Sequence, residues 1–489
     1  MVLQGVSETL ITKPAPHIRM TSIITNPLHQ KLLLIAVSLG IIMDGLDGSI
    51  VNVVLPVIAE DFGCDTGTIS WVVITYLLMM AGFLLVFGKL ADRGWMKRIF
   101  LIGFVIFTTG SAACGLSPDL HYLLGARIFQ GIGAAMIAAA APMLCVKSLP
   151  PRMLGLALGV LTMASSIGFA AGPALGGILT HYLSWHWIFL INIPIGILAI
   201  PFAWKIIPRD TPAGKKESFD YRGAVLLFGA MASGIYALER LPHLGFGNPQ
   251  IGSCALLCLV FAVLFVLREL RTESPLINVR ILAAWRFSAV FAAFLIINIV
   301  YMGVLYLLPF YLNVGMQFDT AVSGLYLLIP PAITAVIGIP LGKWSDRVGR
   351  RWFAVGACLI LTAFNLIYMI ILPEMGLLPL LAALVLMGVI WGLAGGPAAS
   401  RIVETAPPEE RGTGSSLMIT SIYLGGVVGT ALYATIFTFV TTGSGSVVAF
   451  ADLEPAVFLT GFHFTILVGV VFAVVSVLCS AVVRDGQRT

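Results

Sequence analysis

Charge is what this chain has least of. Only 10% of its 489 residues are Asp, Glu, Lys or Arg, and 59% are hydrophobic. Soluble domains carry about 25% charged residues, so a large water-soluble core is excluded. Cysteine is scarce and scattered: Cys64, Cys114, Cys145, Cys254, Cys258, Cys358 and Cys479 show no metal or disulfide spacing. They read as small apolar packing residues. A Walker motif, a cofactor fingerprint and a catalytic constellation are also missing. The glycine-rich stretch 392–396 lies inside a hydrophobic run, not at a strand-to-helix turn, so it is no phosphate loop. Neither an enzyme nor a resident cofactor is expected. Residues 1–30 lack the apolar stretch and cleavage site of a signal peptide. With Pro14, Pro16 and Pro27 they read as a mostly disordered tail.

What the chain does have is apolar runs. A helix needs roughly 20 apolar residues to cross a bilayer. Runs of that kind cover about 32–57, 70–88, 99–116, 121–146, 154–180, 185–204, 222–240, 250–270, 288–313, 321–342, 352–373, 377–401, 414–440 and 457–483. That is fourteen spans in an all-α membrane protein. The shorter alternating segments of a β-barrel do not occur.

Basic residues fix the orientation. With the spans laid alternately in and out, all of the 28 Lys and Arg except Arg127 and Arg240 fall in the two tails or the even-numbered loops. Lys and Arg are retained on the cytoplasmic side during insertion. Both ends are therefore expected in the cytoplasm, in an inner membrane. The net charge of +5 is explained by topology and is no nucleic-acid signal.

Two loops look like copies. Gly88-Lys-Leu-Ala-Asp92-Arg93-Gly-Trp-Met-Lys97-Arg98 follows span 2, and Gly342-Lys-Trp-Ser-Asp346-Arg347-Val-Gly349-Arg350-Arg351 follows span 10. Such a repeat implies two related halves, which in transporters meet around a midplane site. The copies lie eight spans apart, whereas six-span halves would put them six apart. Two extra spans, 7 and 8, must sit between the halves, bracketed by the charged linkers 205–222 (with Lys215-Lys216) and 268–286. The expected division is a tail 1–30, a six-helix half 31–206, two added helices with linkers 207–287, a second six-helix half 288–483 and a tail 484–489.

At this point the chain resembles the major facilitator superfamily, specifically its fourteen-span drug/proton antiporter branch of QacA-like multidrug exporters. The resemblance covers 30–485. The loop 88–98 matches the family's first signature, and Arg127-Ile-Phe-Gln130-Gly131-Ile-Gly133 its span-4 signature. Gly168-Phe-Ala-Ala-Gly172-Pro173-Ala-Leu-Gly176-Gly177 matches the antiporter signature of span 5. Leu46-Asp47-Gly48-Ser49-Ile50-Val51-Asn52-Val53-Val54-Leu55-Pro56 matches the span-1 signature of the branch. Trp185-x-Trp187-Ile-Phe-x-Ile-Asn192-x-Pro194 completes the set.

Asp44 and Asp47 lie 13 and 16 residues past Lys31, on the order of 20–24 Å along a helix. Their i,i+3 spacing puts both carboxyls on one face. An aspartate at the middle of a span costs about 2.5–3.5 kcal/mol on insertion scales, so such a pair marks a functional site. The plainer alternative is permanent pairing with an arginine as interhelical glue. Arg127 reaches a compatible depth. Beside it a carboxylate stays ionised; once they separate, desolvation favours a proton. Gln130, on the same face, is placed to orient either group. Asp47, Arg127 and Asp44 are thus the expected proton-coupling set, with the proton as the coupling ion.

Asp44, Asp47, Gln130, Asn298, Tyr301 and Tyr306 are the expected substrate contacts, while His463 reads as packing. Gly168, Gly172 and Gly176 recur every four residues and suit a close helix crossing between the halves. Pro173 bends that helix, and Gly177 extends the same seal. Gly88, Asp92, Arg93, Lys97 and Arg98, with Asp346, Arg347 and Arg350, are either topology anchors or a latch that holds the inner side shut.

The expected function is proton-coupled export of lipophilic, cationic small molecules. Substrate and proton would compete for the acidic face of span 1. The expected partners are that substrate and the lipid bilayer. A monomer is expected, an outer-membrane adaptor is left open, and nucleic acid is not a partner. A proton-coupled symporter, or an exporter of a specific metabolite or lipid, is the rival reading within the same fold. A non-transporting receptor or scaffold is the rival from another class.

Overall fold

The computed structural model describes residues 23–210, 220–272, 275–370, 375–407, 410–442 and 449–483. The tail segments 1–22 and 484–489 and the pair Lys215-Lys216 lie outside the described residues. Among the described residues there is no β-strand.

The first group of helices is α1 (Pro27–Asp61), α2 (Thr66–Leu90), α3 (Met96–Gly115), α4 (Leu120–Ser148), α5 (Leu154–Tyr182), the short α6 (Trp187–Leu190) and α7 (Asn192–Ile206). A hairpin follows, α8 (Tyr221–Leu244) and α9 (Pro249–Arg271). The last group is α10 (Trp285–Phe310), α11 (Thr320–Leu327), α12 (Ile329–Val348), α13 (Arg350–Ile370), α14 (Leu377–Leu393), α15 (Ala399–Thr405), α16 (Arg411–Thr442) and α17 (Pro455–Val482).

Polar residues set where the helices begin. Asn26, Asp65, Asp119, Asp220, Asn248 and Asp319 each accept a hydrogen bond from a backbone amide of the first turn, satisfying donors that a helix start leaves free. Pro27, one residue past the Asn26 cap, opens α1 at its most favourable position. The N-terminal tail is accordingly shorter than expected, since 27–30 are helical.

Among the described residues, thirteen helical stretches are long and apolar enough to cross a bilayer, against fourteen expected from sequence. The difference lies at one place. Thr66–Gly115 counts as one stretch of 50 residues, about twice what one crossing needs. Within it α2 and α3 join through a tight turn at Ala91–Trp95, where Gly94 has φ 91°. Gly349 holds φ 112° in the corresponding turn of the second loop. A side chain at either position would strain the backbone, which is why each copy of the motif carries a glycine just past its Asp-Arg pair.

In the first group α1 packs along α5, and α4 packs on α2 and α3. In the last group α10 packs on α16, α13 on α17 and α12 on α14. The two groups meet where α2 touches α16 and α5 touches α11. The hairpin helices pack on each other, α8 leaning on α2 and α16. The outward faces are apolar, as Leu198, Leu256 and Leu478 illustrate, which suits lipid rather than water.

The span-5 glycines differ from expectation in their partner. A Cβ built on Gly168 would meet the Ile42 carbonyl. One on Gly172 would meet Ser49 Oγ and lie 2.8 Å from Ile50 N, and one on Gly176 would lie 2.9 Å from Ile50 Cγ1. All three therefore serve the α1–α5 crossing inside the first group, not a contact between groups. The cross-group contact comes from the next residue on. A Cβ on Gly177 would meet the Thr320 carbonyl and lie 3.1 Å from Ala321 Cα, and one on Gly324 would meet the Pro173 carbonyl.

The two ends of the bundle differ. At the end opposite the basic loops, α5 and α11 touch, Phe450 N donates to Cys64 O at 3.2 Å, and the Tyr306 hydroxyl donates to Thr66 O. Toward the basic end, Cβ atoms built on Gly155 and Gly159 of α5 or Gly338 and Gly342 of α12 would meet open space. The bundle is closed at one end and splayed at the other.

Candidate functional site

The polar centre is built by α1, α2, α3 and α4 around one arginine. Arg127 on α4 is 1% exposed, and Asp47 on α1 and Gln130 on α4 are fully buried. Arg127 Nη1 donates to Asp47 Oδ2 at 2.6 Å and to Gln130 Oε1 at 2.6 Å. Gln130 Nε2 donates to Asp47 Oδ1 at 2.7 Å and to Ser111 Oγ on α3 at 2.8 Å. Arg127 Nε donates to the Val72 carbonyl of α2 at 3.0 Å. Both carboxylate oxygens of Asp47 are thus occupied. A buried ion pair is tolerated when hydrogen bonds serve its remaining polar atoms, and removing one partner costs about 3–5 kcal/mol.

Asp44 sits one turn away in different surroundings. It is half-buried, and its Oδ1 accepts from the Tyr76 hydroxyl at 2.8 Å. The Tyr76 ring in turn lies 4.2 Å from the Arg127 guanidinium carbon, and Phe189 lies 5.6 Å from it on another side. Tyr76 therefore touches both acidic positions, Asp44 through its hydroxyl and the Asp47 pair through its ring. Tyr423 on α16 stands near Asp44, which brings the last helix group to the same point.

The expected substrate contacts separate. Tyr301 lines a small cleft with Ser49, Asn52, Phe169, Pro173 and Pro330, its ring 5.1 Å from Trp391. Asn298 is fully buried; its Nδ2 donates to Phe294 O at 2.8 Å, and its side chain fills the space beside Gly425 of α16. Tyr306 is fully buried against Thr66 at the closed end. Asn298 bonds within α10 and packs on Gly425 of α16, and Tyr306 bonds to α2. Tyr301 is buried beside its cleft, and of the expected contacts Asp44 is the one that is partly exposed.

The loop residues also divide. Lys97 Nζ donates to the carbonyls of Trp204 and Ile207, each at 2.6 Å, and its amide donates to Asp210 Oδ1 at 2.7 Å. Arg98 lies 3.8 Å from Asp210. These two residues tie α3 to the end of α7. The Asp92 carbonyl accepts from Lys147 Nζ at 2.8 Å, so the turn that carries Asp92 and Arg93 also rests on α4. Gly88 has open space around it. In the second copy, Arg350 pairs with Asp346 at 2.7 Å and with Glu404 of α15 at 2.5 Å, beside an exposed Arg347.

Three participants escape a sequence reading. Ser111 and the Val72 carbonyl carry no signal of their own. Arg401, placed by sequence in a loop, is 1% exposed within α15 and donates to Ser480 O and Val483 O. It therefore joins Arg127 as a second buried arginine. Among the described residues no group of His, Cys, Asp and Glu could hold a metal ion.

Comparison with known proteins bears on this arrangement. The Major Facilitator Superfamily model matches residues 37–430. The riboflavin transporter of Clostridioides difficile (strain 630) is 31% identical over 83% of this chain and 88% of its own length. The tetracenomycin C resistance and export protein of Streptomyces glaucescens is 32% identical, over 82% of this chain and 74% of its own. A multidrug resistance protein B homologue of Mycobacterium tuberculosis is 29% identical over 82% and 75%. Among solved structures, a bacterial homologue of the human lysosomal transporter Spinster, inward-facing and unoccupied, has a TM-score of 0.67 at 16% identity, covering 94% of this chain and all of that one. The chain belongs to the major facilitator superfamily and is a multi-pass membrane transporter.

Proposed function

We propose that the protein is a proton-coupled antiporter of an inner membrane that exports lipophilic, cationic small molecules by alternating access. The observation that carries the reading is the contrast between two carboxylates one turn apart. Asp47 is sealed with Arg127 and Gln130, while Asp44 is only partly buried and has the Tyr76 hydroxyl as its hydrogen-bond partner. A group that exchanges protons needs a partner from which it can be parted, and a group that meets a cation needs access. In this reading Asp47 is the coupling site, Arg127 the partner that keeps it ionised, and Asp44 the contact for positive charge. The drug-resistance and export relatives support the substrate class.

The same proposal counts α2 and α3 as separate crossings, giving fourteen in the manner of QacA-like exporters. It takes α8–α9 as a pair added between two six-helix halves, with both chain ends and the basic loops in the cytoplasm. The splayed end then faces inward. The Asp92–Arg93 and Asp346–Arg350 loops act as the latch of the inner-closed state, and Gly177 and Pro173 form part of the outer seal. The transporter works as a monomer without a resident cofactor.

A second reading is favoured by one observation. The riboflavin transporter shares 31% identity over most of both chains, so a specific planar metabolite is the rival cargo. Reconstituted vesicles separate the two. Addition of a cationic dye under an imposed pH gradient is expected to move protons against the dye. Proton movement along with the cargo, or movement with riboflavin alone, would overturn the drug antiporter.

A further inference from the structure

The added hairpin holds a carboxyl group that the account so far leaves unused. Glu239, near the end of α8 away from the basic loops, is 2% exposed; no donor meets its carboxyl oxygens in good hydrogen-bond geometry, although the Ser70 hydroxyl stands close by. It lies in the seam where α8 leans on α2 and α16, the same seam where the two helix groups meet.

The surroundings offer no counter-charge in contact. On the α2 side stand Ser70, whose hydroxyl already donates to Gly67 O at 2.7 Å, the buried helix cap Asp65, and Cys64 just before it. On α8 itself, Arg240 is exposed with its guanidinium 5.9 Å from the Tyr236 ring, and His243 Nε2 lies 3.9 Å from Asp65 Oδ1. Tyr306 of α10 donates its hydroxyl to Thr66 O. On α16, Thr435 donates to the neighbouring Leu238 O at 3.1 Å, and α9 brings the Cys258 thiol beside Gly234.

A bare carboxylate in such a place is far costlier than the neutral acid, and natural proteins resolve this by neutralising the group. His243, one turn along α8 from Glu239, keeps part of its ring at the surface and lies 3.9 Å from Asp65.

We propose that Glu239 is a proton-binding site separate from Asp47. It takes one proton from the water at the end opposite the basic loops and holds it while that end is closed. One carboxylate oxygen gains the hydrogen, and when the seam between α2 and α16 parts, the same proton returns to that water. Whether Glu239 holds a proton is independent of Asp47; its contribution to transport rests on the coupling reading above.

The test is infrared spectroscopy of the full-length protein in lipid vesicles at neutral pH. The expected result is a carbonyl band of a protonated carboxylic acid that is present in the wild type, in Asp44→Asn and in Asp47→Asn and is lost in Glu239→Gln. Glu239→Asp should restore such a band at a shifted position, which guards against a folding artefact. Identical wild-type and Glu239→Gln spectra would overturn the proposal. In transport, Glu239→Gln should leave the number of protons moved per substrate unchanged, because this proton leaves on the side from which it came. A lower proton count in Glu239→Gln would overturn that return to the same side. Uphill transport by Asp47→Asn would sink the coupling reading while leaving the Glu239 band intact.

Discussion

The Tyr76 hydroxyl donates to Asp44 at 2.8 Å, and the ring that carries it covers the Arg127 guanidinium, 4.2 Å from its central carbon. One side chain thus joins the partly buried carboxylate to the sealed ion pair. In the proposed reading, a cation that engages Asp44 would compete with the Tyr76 hydroxyl and disturb the ring over Arg127, linking substrate arrival to the Asp47–Arg127 contact through one side chain.

From this follows selectivity at Asp44. A hydrogen bond to a charged group contributes about 1.5–3 kcal/mol. Asp44→Asn should therefore weaken a cationic dye roughly ten- to a hundred-fold in Kd and leave neutral substrates nearly unchanged. Fluorescence titration of purified protein with a charged and a neutral ligand checks it. Equal losses for both would make Asp44 structural.

The glycines of α5 should fall into three classes. Gly172→Leu overpacks the α1–α5 crossing, which costs about 1–3 kcal/mol or more, and should abolish transport in a correctly inserted protein. Gly177→Leu strikes the contact with α11 and should open the closed end, read as passive proton leak. Gly159→Leu projects into open space and should transport as wild type. Leak from Gly172→Leu but not from Gly177→Leu would reverse the assignment of the seal.

Much of this was legible in the chain. The Asp47, Arg127 and Gln130 constellation can be read because charge inside a membrane must find a partner, and few partners exist at the right depth. The repeat of glycines reveals a face but not the helix it meets, so the α1 contact of Gly168, Gly172 and Gly176 stayed hidden. Asn298 and Tyr306 illustrate the same limit. Polarity in a helix that is apolar all round does not tell whether the group meets a cavity or a neighbouring backbone. Glu239 was missed because it lies near the end of its run beside Arg240, where a charged residue looks like the start of a loop.

The hairpin base should respond to acid. Burial alone favours the neutral form of Asp220, but the Gly223 amide and the Arg268 guanidinium at 3.1 Å hold its carboxyl below the ordinary carboxylate range. A carboxyl more acidic in the folded state contributes stability that is complete above its unfolded value and is lost as pH falls through its folded value. Thermal unfolding in detergent should show the wild type losing stability across that acid window. Asp220→Asn should be less stable at neutral pH and flatter through the window. Parallel curves for the two proteins would show that Asp220 makes no such contribution.

The central claim is that Asp47 couples proton movement to transport, and one measurement addresses it directly. Purified wild type and Asp47→Asn are placed in proteoliposomes, and the same cationic substrate is followed in two modes. In gradient-driven uptake an imposed pH difference is the only energy source; in counterflow, labelled substrate exchanges with no proton gradient. Asn keeps a carbonyl oxygen that accepts from Arg127 and is the same size as Asp, so binding and exchange should persist. The account predicts counterflow at near wild-type rate with no accumulation against the gradient. Uphill accumulation by Asp47→Asn would contradict it.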